Sequence, residues 1–171
     1  MKDGMTQGSF SIRAAAPKDV PVLIDFIRAL AEYEKLTHLL QLEAGQLASE
    51  LFGPSSRAEA LLGYCGDEPA AFAVFFHNFS TFLGRRGLYL EDLFVQPRFR
   101  RRGYGRAMLV EMARIARDRG CGRFEWSVLD WNTPAIDFYR SLGADVLRDW
   151  RICRVTGTAL EALARTSTTP G

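Results

Sequence analysis

The alternation of apolar and polar residues divides the chain into short strands and amphipathic helices. Between residues 19 and 33, apolar side chains recur at intervals of three and four residues, which predicts a helix with one buried face. A continuous apolar run at 70–79 predicts a central strand, and residues 87–95 predict the next one. Because the link at 80–86 is polar and contains glycine, these two strands are predicted to form a long hairpin.

The rest of the chain alternates between the same two kinds of element. Further strands are predicted at 10–14, 58–64, 124–128 and 145–155, and further helices at 44–51, 103–118, 134–142 and 160–164. Thr133 is the predicted cap of the helix that begins at Pro134. A strand, a helix and a strand follow one another between 89 and 128, which implies a parallel crossover. The predicted class is therefore α/β with a mixed sheet.

Composition narrows the class of protein without identifying it. The chain has 171 residues, 47% hydrophobic and 25% charged, with a formal net charge of +2, as in an ordinary single globular domain. This charge balance points to neither a nucleic acid nor a membrane partner. No apolar run approaches the roughly 18–20 residues of a membrane span, and the polar first ten residues lack a signal-peptide core. We expect a cytoplasmic protein with one domain over residues 10–165 and disordered ends at 1–9 and 166–171.

The few metal-ligating residues are scattered. The three cysteines show no CxxC spacing, and the chain has only two histidines. This usage suits a reducing compartment and small buried thiols, and it predicts no metal site.

The most informative segment runs from 89 to 106 and reads YLEDLFVQPRFRRRGYGR. A strand ends, an arginine-rich loop follows, and a helix starts after Gly103. The unpaired first-turn N–H groups of a helix bind phosphate oxygens, and Gly103 and Gly105 keep Cβ atoms out of the way. Four arginines can add charge-assisted bonds: Arg100, Arg101, Arg102 and Arg106. The loop is therefore a candidate pyrophosphate site.

The spacing of this loop does not fit two other phosphate-binding motifs. It lacks the GxxxxGK[ST] of a P-loop, and Met108 occupies the third glycine position of a GxGxxG fingerprint. On its own, an arginine run of this kind also fits a solvated face or a nucleic-acid patch, and the residues alone leave that alternative open.

Four stretches together resemble one known family. Residues 100–105 fit the pattern [RQ]-x-x-G-x-[GA], residues 131–139 resemble its WNxPxxxFY stretch, and residues 88–95 and 31–34 resemble the preceding strand and the end of the first helix. Over residues 10–165 the chain is similar to the GNAT superfamily of N-acetyltransferases, in its spermidine/spermine (diamine/thialysine) branch. The resemblance implies a mixed, mostly antiparallel central sheet flanked by helices in a single domain. It also implies acetyl-CoA as co-substrate, a homodimer, and acetyl transfer to a primary amine of a small molecule.

The resemblance also implies catalytic roles. Acetyl transfer needs an amine that has lost its proton, although an alkylammonium has a pKa near 10. Tyr139 matches the tyrosine that protonates the leaving thiolate, and Glu91 matches the acidic residue that acts as base or as anchor for the ammonium. Adjacent strand residues point to opposite faces, so only one of Glu91 and Asp92 is expected to face the cleft, and Glu91 is the predicted one.

The implied contacts with the two substrates cover more of the chain. The positions matching cofactor contacts are Leu93, Phe94, Val95, Arg100, Arg101, Arg102, Gly103, Tyr104, Gly105, Arg106, Asn132, Ala135 and Tyr139. The positions matching the amine pocket are Tyr33, Glu34, Glu91, Glu125, Trp126 and Ser127.

The chain departs from the polyamine enzymes where they are acidic. It has Lys35, Leu36, Thr37 and His38 after Glu34, and Thr81 where they carry a further acid. Fewer carboxylates attract a long polycation less, so a diamine or a lysine-like or thialysine-like amino acid competes with spermidine and spermine. Three other functions stay open: a GNAT that acetylates a protein lysine or N-terminus, a nucleic-acid module using residues 98–106, and a CoA-binding sensor.

Overall fold

The computed structural model describes residues 9–166, which form two compact units. One unit extends to Ser127 and the other starts at Val128. The termini predicted to be disordered lie almost entirely outside the described residues, so their disorder stays a prediction.

A five-stranded sheet forms the first unit. Its strands lie in sequence order and are β1 (Phe10–Ala14), β2 (Ala58–Cys65), β3 (Glu68–Ser80), β4 (Arg85–Val95) and β5 (Phe124–Trp126). All neighbours pair antiparallel except β4 and β5, which are parallel because a helical crossover joins them. The predicted mixed, mostly antiparallel sheet and the long β3–β4 hairpin are confirmed.

Three helices cover the two faces of this sheet: α1 (Val20–Glu34), α2 (Ala44–Phe52) and α3 (Tyr104–Asp118). Leu23, Phe26 and Leu30 recur on one side of α1 and pack with Leu62 and Phe72 of the sheet.

α3 lies on the opposite face of the sheet. A Cβ added at Gly63, next to Leu62, would lie 3.2 Å from the Met108 sulfur, so this helix approaches closely there. Met108 and Met112 are fully buried. Burial of this face of α3 thereby holds the crossover helix against the sheet.

The second unit contains two helices, α4 (Thr133–Ser141) and α5 (Gly157–Arg165). The cap of α4 is Asn132 rather than the predicted Thr133, because the Asn132 Oδ1 accepts the Ala135 N–H at 3.4 Å. Thr133 is itself the first helical residue.

The predicted final strand over 145–155 is wrong. These residues are irregular, and no strand among residues 9–166 pairs with them. Leu147, Trp150 and Ile152 are 66%, 74% and 70% exposed, so the apolar positions that suggested a strand are not buried. A strand needs a neighbouring edge to take its N–H and C=O groups, and a pattern alone does not supply one. β5 is also shorter than predicted and ends at Trp126.

Candidate active site

A β-bulge in β4 sets the direction of the acidic side chains. In the β3–β4 ladder, Val74 pairs with Asp92 but Phe75 pairs with Leu90, so Glu91 is an extra residue without a partner in β3. Val74 packs with the cluster under α1, so its partner Asp92 faces that helix. Because of the bulge, the Asp92 side chain lies on the face of the sheet that α1 covers, and Glu91 is exposed.

The carboxyl group of Asp92 is mostly buried among acidic neighbours. Burial, and then the nearby charges of Glu91 and Glu34, raise its pKa from 3.8 to about 6. Burial also raises the pKa of Glu34, which ends α1. The two partly buried carboxyl groups of Asp92 and Glu34 thus lie close enough for their charges to interact, an arrangement that a bound cation stabilises.

Aromatic rings border these carboxyl groups. Tyr33 precedes Glu34 on α1, and its ring lies 6.3 Å from the ring of Phe94, two residues beyond Asp92. Phe94 is 4% exposed and joins the core under α1, whereas Tyr33 is 39% exposed. The predicted amine-pocket residues Tyr33 and Glu34 therefore meet Asp92, a residue that sequence reasoning passed over. Strand alternation allowed only one of the two acids to face the cleft, and Glu91 was preferred because it matches the family's acidic residue; the residue pattern did not indicate a bulge at Glu91.

Beyond Leu90, one edge of β4 has no strand beside it. The parallel pairing with β5 covers only Leu88 to Leu90, opposite Phe124 to Trp126. Leu93, Phe94 and Val95 pair with β3 on their other side, and no strand among residues 9–166 covers the remaining edge. This leaves β4 backbone groups available to an extended ligand, in the stretch where the resemblance placed cofactor contacts.

The loop after β4 turns the backbone toward a helix N-terminus. A single 3₁₀ turn, Pro97–Phe99, is followed by Arg101 with φ 62° and Gly103 with φ 83°, and α3 begins at Tyr104. Left-handed residues of this kind turn successive N–H groups into an anion-binding concavity. The first helical bond is donated by Ala107 to the Gly103 carbonyl at 2.9 Å, so the N–H groups before Ala107 have no intrahelical partner.

Space at this loop is open on the side where a ligand would approach. A Cβ added at Gly103 would meet nothing within 4 Å, so its positive φ, rather than crowding, requires glycine. Phosphate oxygens therefore fit against the first turn of α3, and the residues present suit the pyrophosphate of CoA.

Tyr104 fastens the start of α3 to the sheet. Its ring stacks on Phe10 at 4.0 Å, and its hydroxyl donates a hydrogen bond to the Cys65 sulfur at 3.2 Å. That bond raises the pKa of the phenol. Because the side chain is engaged in this way, Tyr104 can offer a phosphate its backbone N–H rather than its hydroxyl.

The arginines of the loop divide into two groups. Arg100 turns inward, donating from Nε to the Val95 carbonyl at 3.0 Å, and its guanidinium lies 4.5 Å over the Tyr33 ring. Arg101, Arg102 and Arg106 are exposed and form no ion pair within residues 9–166. The last three are thus available to an anion, whereas Arg100 links the loop to β4.

The predicted amine-pocket residues at the end of β5 are only partly available to a ligand. Glu125 forms an ion pair with Arg123, and the Ser127 hydroxyl lies 2.8 Å from the Tyr89 hydroxyl. Trp126 pairs with Leu90 at the last rung of the parallel ladder. Glu125 is therefore already neutralised, which makes it a weaker ammonium partner than Asp92.

Three predicted site residues belong to the second unit, which is described by itself. Asn132 is buried and uses its side chain to cap α4, and Ala135 supplies the N–H for that cap. Tyr139 lies half-buried on α4, with its ring 5.5 Å from that of Phe138. Asn132 thus has a structural role in α4.

No group of three or more His, Cys, Asp or Glu side chains among residues 9–166 is placed to hold a metal ion. Within the same residues, no helix is long and apolar enough to cross a membrane.

Comparison with known proteins was made by family, sequence and structure. The model of the acetyltransferase (GNAT) family matches residues 26–144. L-ornithine N5-acetyltransferase NATA1 of Arabidopsis thaliana is 34% identical, over 89% of this chain and 86% of its own length. Thialysine N-epsilon-acetyltransferase of Sus scrofa is also 34% identical, over 91% of this chain and 98% of its own length.

Solved structures agree on the architecture. An integron cassette protein from the mobile metagenome of V. cholerae superposes with a TM-score of 0.77 at 25% identity, covering 92% of this chain and 99% of that one. An aminoglycoside acetyltransferase from an uncultured soil sample has a TM-score of 0.72 at 16% identity, covering 86% and 95%. The second likeness concerns the fold alone.

Proposed function

Because this chain belongs to the acetyltransferase (GNAT) family, we propose that it transfers an acetyl group from acetyl-CoA to the primary amine of a small molecule. Membership makes the chain an N-acetyltransferase, an enzyme of the acyltransferase class. One observation carries the proposal. The unpaired edge of β4 continues directly into the concave loop and the N-terminus of α3.

The cofactor end is proposed to work mainly through backbone groups. The N–H groups of Gly103, Tyr104, Gly105 and Arg106 would hold the pyrophosphate, with Arg101, Arg102 and Arg106 adding charge. The open edge at Leu93, Phe94 and Val95 would hold the pantetheine arm. Acetyl-CoA supplies the activated acetyl group there.

The acceptor end is proposed to hold the ammonium between Asp92 and Glu34, near the Tyr33 ring, one face of which already carries the Arg100 guanidinium at 4.5 Å. A cation beside these carboxyl groups offsets the cost of burying their charge. Glu91, exposed at the bulge, is proposed to take the ammonium proton through a water molecule. The bulge thus separates an anchoring carboxylate from a proton-accepting one.

Tyr139 is proposed as the general acid that protonates the leaving thiolate. Its support is the match of residues 131–139 to the family stretch, together with the half-buried position of its ring on α4. Asn132 would contribute by fixing the first turn of that helix.

The acceptor is proposed to be an amino acid with a side-chain amine, or a diamine. Two relatives carry the names of ornithine and thialysine acetyltransferases, and both are covered almost fully by this chain. The basic and neutral residues Lys35 to His38, and Thr81, leave few carboxylates for a long polycation.

A cytoplasmic homodimer is the proposed state of the enzyme. Its support is the exposed apolar surface of the second unit, where Leu147, Trp150, Ile152 and Leu163 are each more than half exposed. Light scattering of the purified chain tests the dimer, and fractionation of cells tests the compartment.

The activity is tested by following CoA thiol release with acetyl-CoA and five acceptors: ornithine, thialysine, putrescine, spermidine and a lysine peptide. We expect release with one of the first three, and a fall of about 100-fold in kcat for Tyr139→Phe at neutral pH. The matched control is Phe138→Leu, the neighbouring ring on α4. Release with the peptide alone would favour a protein acceptor, and no release with any acceptor would refute the proposal.

A further inference from the structure

The face of the sheet that carries Asp92 continues beyond it as a row of polar side chains. In β3, Val74 pairs with Asp92 and Phe76 pairs with Tyr89. Tyr89 in turn pairs with Glu125 of β5. Because residues two apart in a strand share a face, Tyr89 and Glu125 lie on the same face as Asp92, about 7 Å further along the strands. A ligand whose ammonium binds Asp92 can therefore extend its other end to this second row.

An ion pair stands on the β5 side of this row. Arg123 lies just before β5 and pairs through its Nε with the Glu125 carboxylate. Both side chains are 38% exposed, so the pair is accessible to a ligand. The two terminal amino groups of Arg123 form no ion pair or hydrogen bond within residues 9–166. A guanidinium and a carboxylate thus lie side by side, and each keeps hydrogen-bonding capacity for a ligand.

The absence of a side chain at Gly87 makes room for the stem of Arg123. A Cβ added at Gly87 would lie 3.0 Å from the Arg123 Cγ and would clash with the Asn78 Oδ1, so these two side chains meet over the glycine. Gly87 and Asn78 are opposite each other in β4 and β3. The Arg123 stem is therefore packed against the sheet, and its guanidinium is held beside Glu125 with little freedom to lose when a ligand binds.

Two hydroxyl groups and two rings complete the row. The Tyr89 and Ser127 hydroxyls lie 2.8 Å apart, so one donates to the other and the accepting hydroxyl keeps its own O–H for a ligand. The Tyr89 ring lies 5.1 Å from the Phe76 ring. Between Asp92 and Glu125 there is thus apolar surface, which suits the methylene groups of a short aliphatic chain.

We propose that Arg123 and Glu125 hold the α-carboxylate and the α-ammonium of an amino acid whose side-chain amine is the group that is acetylated. This inference rests on the proposed function and narrows its acceptor to one class. The planar guanidinium matches a carboxylate in geometry as well as charge, and an exposed ion pair costs little to open. A diamine has no carboxylate, so its second ammonium would approach Glu125 only against the charge of Arg123.

The test compares ornithine with putrescine, which is ornithine without its carboxylate, in steady-state kinetics with acetyl-CoA. We expect Arg123→Gln to lower the ratio of kcat/KM for ornithine over putrescine about tenfold to 100-fold, mainly through the KM for ornithine. Because the substitution also releases Glu125 from its ion pair, activity with putrescine should rise. The matched control is Arg114→Gln, which breaks an exposed pair with Glu111 on α3, across the sheet, and should not change the ratio.

Two further measurements decide the question if Arg123→Gln does not fold. Ornithinamide has a neutral amide in place of the carboxylate and should lose a similar factor against ornithine with the unaltered protein. Arg123→Lys keeps the charge without the planar fork and should retain part of the preference for ornithine. Equal kcat/KM for ornithine and ornithinamide, or a ratio of ornithine to putrescine that Arg123→Gln does not change, would overturn this proposal and leave Arg123 a surface ion pair. No CoA release with any amine would instead refute the acetyltransferase proposal, on which this one rests.

Discussion

The cofactor end and the acceptor end of the proposed site flank the same strand but use different chemistry. At the cofactor end, the groups offered are N–H groups of the loop and of the first turn of α3, shaped by positive φ at Arg101 and Gly103. At the acceptor end, they are the side chains of Glu34, Asp92 and Tyr33. Backbone groups can serve a ligand that never changes, whereas side chains can be replaced one at a time when the acceptor differs.

The largest effect is expected from Gly103→Val. A β-branched residue cannot adopt φ 83° without strain, so the N–H groups lose their common direction. We expect CoA affinity to fall about 100-fold, equivalent to the loss of one or two charge-assisted bonds. Isothermal titration calorimetry with CoA measures this.

Arg102→Gln is the matched control for that substitution. It lies in the same loop and removes an exposed charge without touching the backbone, so it should cost less than Gly103→Val. If Arg102→Gln costs more, side-chain charge rather than backbone geometry governs the cofactor end, and the contrast between the two ends fails.

At the acceptor end, Asp92→Asn should raise the KM for the amine about tenfold to 100-fold, because one charged partner of the ammonium is lost. Glu91→Gln should instead lower kcat, since Glu91 is proposed to accept a proton rather than to anchor. Steady-state kinetics on the best acceptor separate the two parameters. If Glu91→Gln raised the KM and Asp92→Asn left it unchanged, Glu91 rather than Asp92 would be the residue that anchors the ammonium.

Much of this structure follows from the sequence, and the part that does not has a physical cause. Helix α1 and the β3–β4 hairpin were predictable because burial on one side imposes a period on the residues. The loop before α3 was predicted from its glycines and arginines, which suit a phosphate, whereas the positive φ at Arg101 and Gly103 was not part of that prediction. The family resemblance implies a bulge in this strand near Leu93 to Val95, but the residue pattern did not place it at Glu91, because the bulge shifts only the partners in β3. The strand predicted at 145–155 failed because its apolar pattern does not reveal whether an edge is available to pair with it.

The raised pKa of Asp92 predicts that its buried charge lowers the free energy of unfolding at neutral and alkaline pH. A carboxyl group whose pKa is raised from 3.8 to about 6 favours folding when protonated, so its stabilising effect is fully present below pH 3.8 and is lost as the pH rises through 6. Asp92→Asn removes the buried charge and should stabilise the free enzyme at pH 8 by about 2 kcal/mol, with a much smaller gain at pH 4. Urea unfolding at the two pH values measures the difference; equal gains at both would show that the charge of Asp92 is not the cause.

The smallest effect is expected at Arg101, where the cofactor end is itself strained. A side chain at φ 62° costs about 1 kcal/mol relative to glycine, so Arg101→Gly should raise the free energy of unfolding by up to that amount. Because the loop keeps its shape, the only loss is the contribution of one exposed guanidinium to CoA binding, and the affinity should fall about threefold. Thermal unfolding and calorimetry on the same variant give both numbers. A loss of affinity as large as that of Gly103→Val would mean that the Arg101 side chain, and not the turn it occupies, holds the anion.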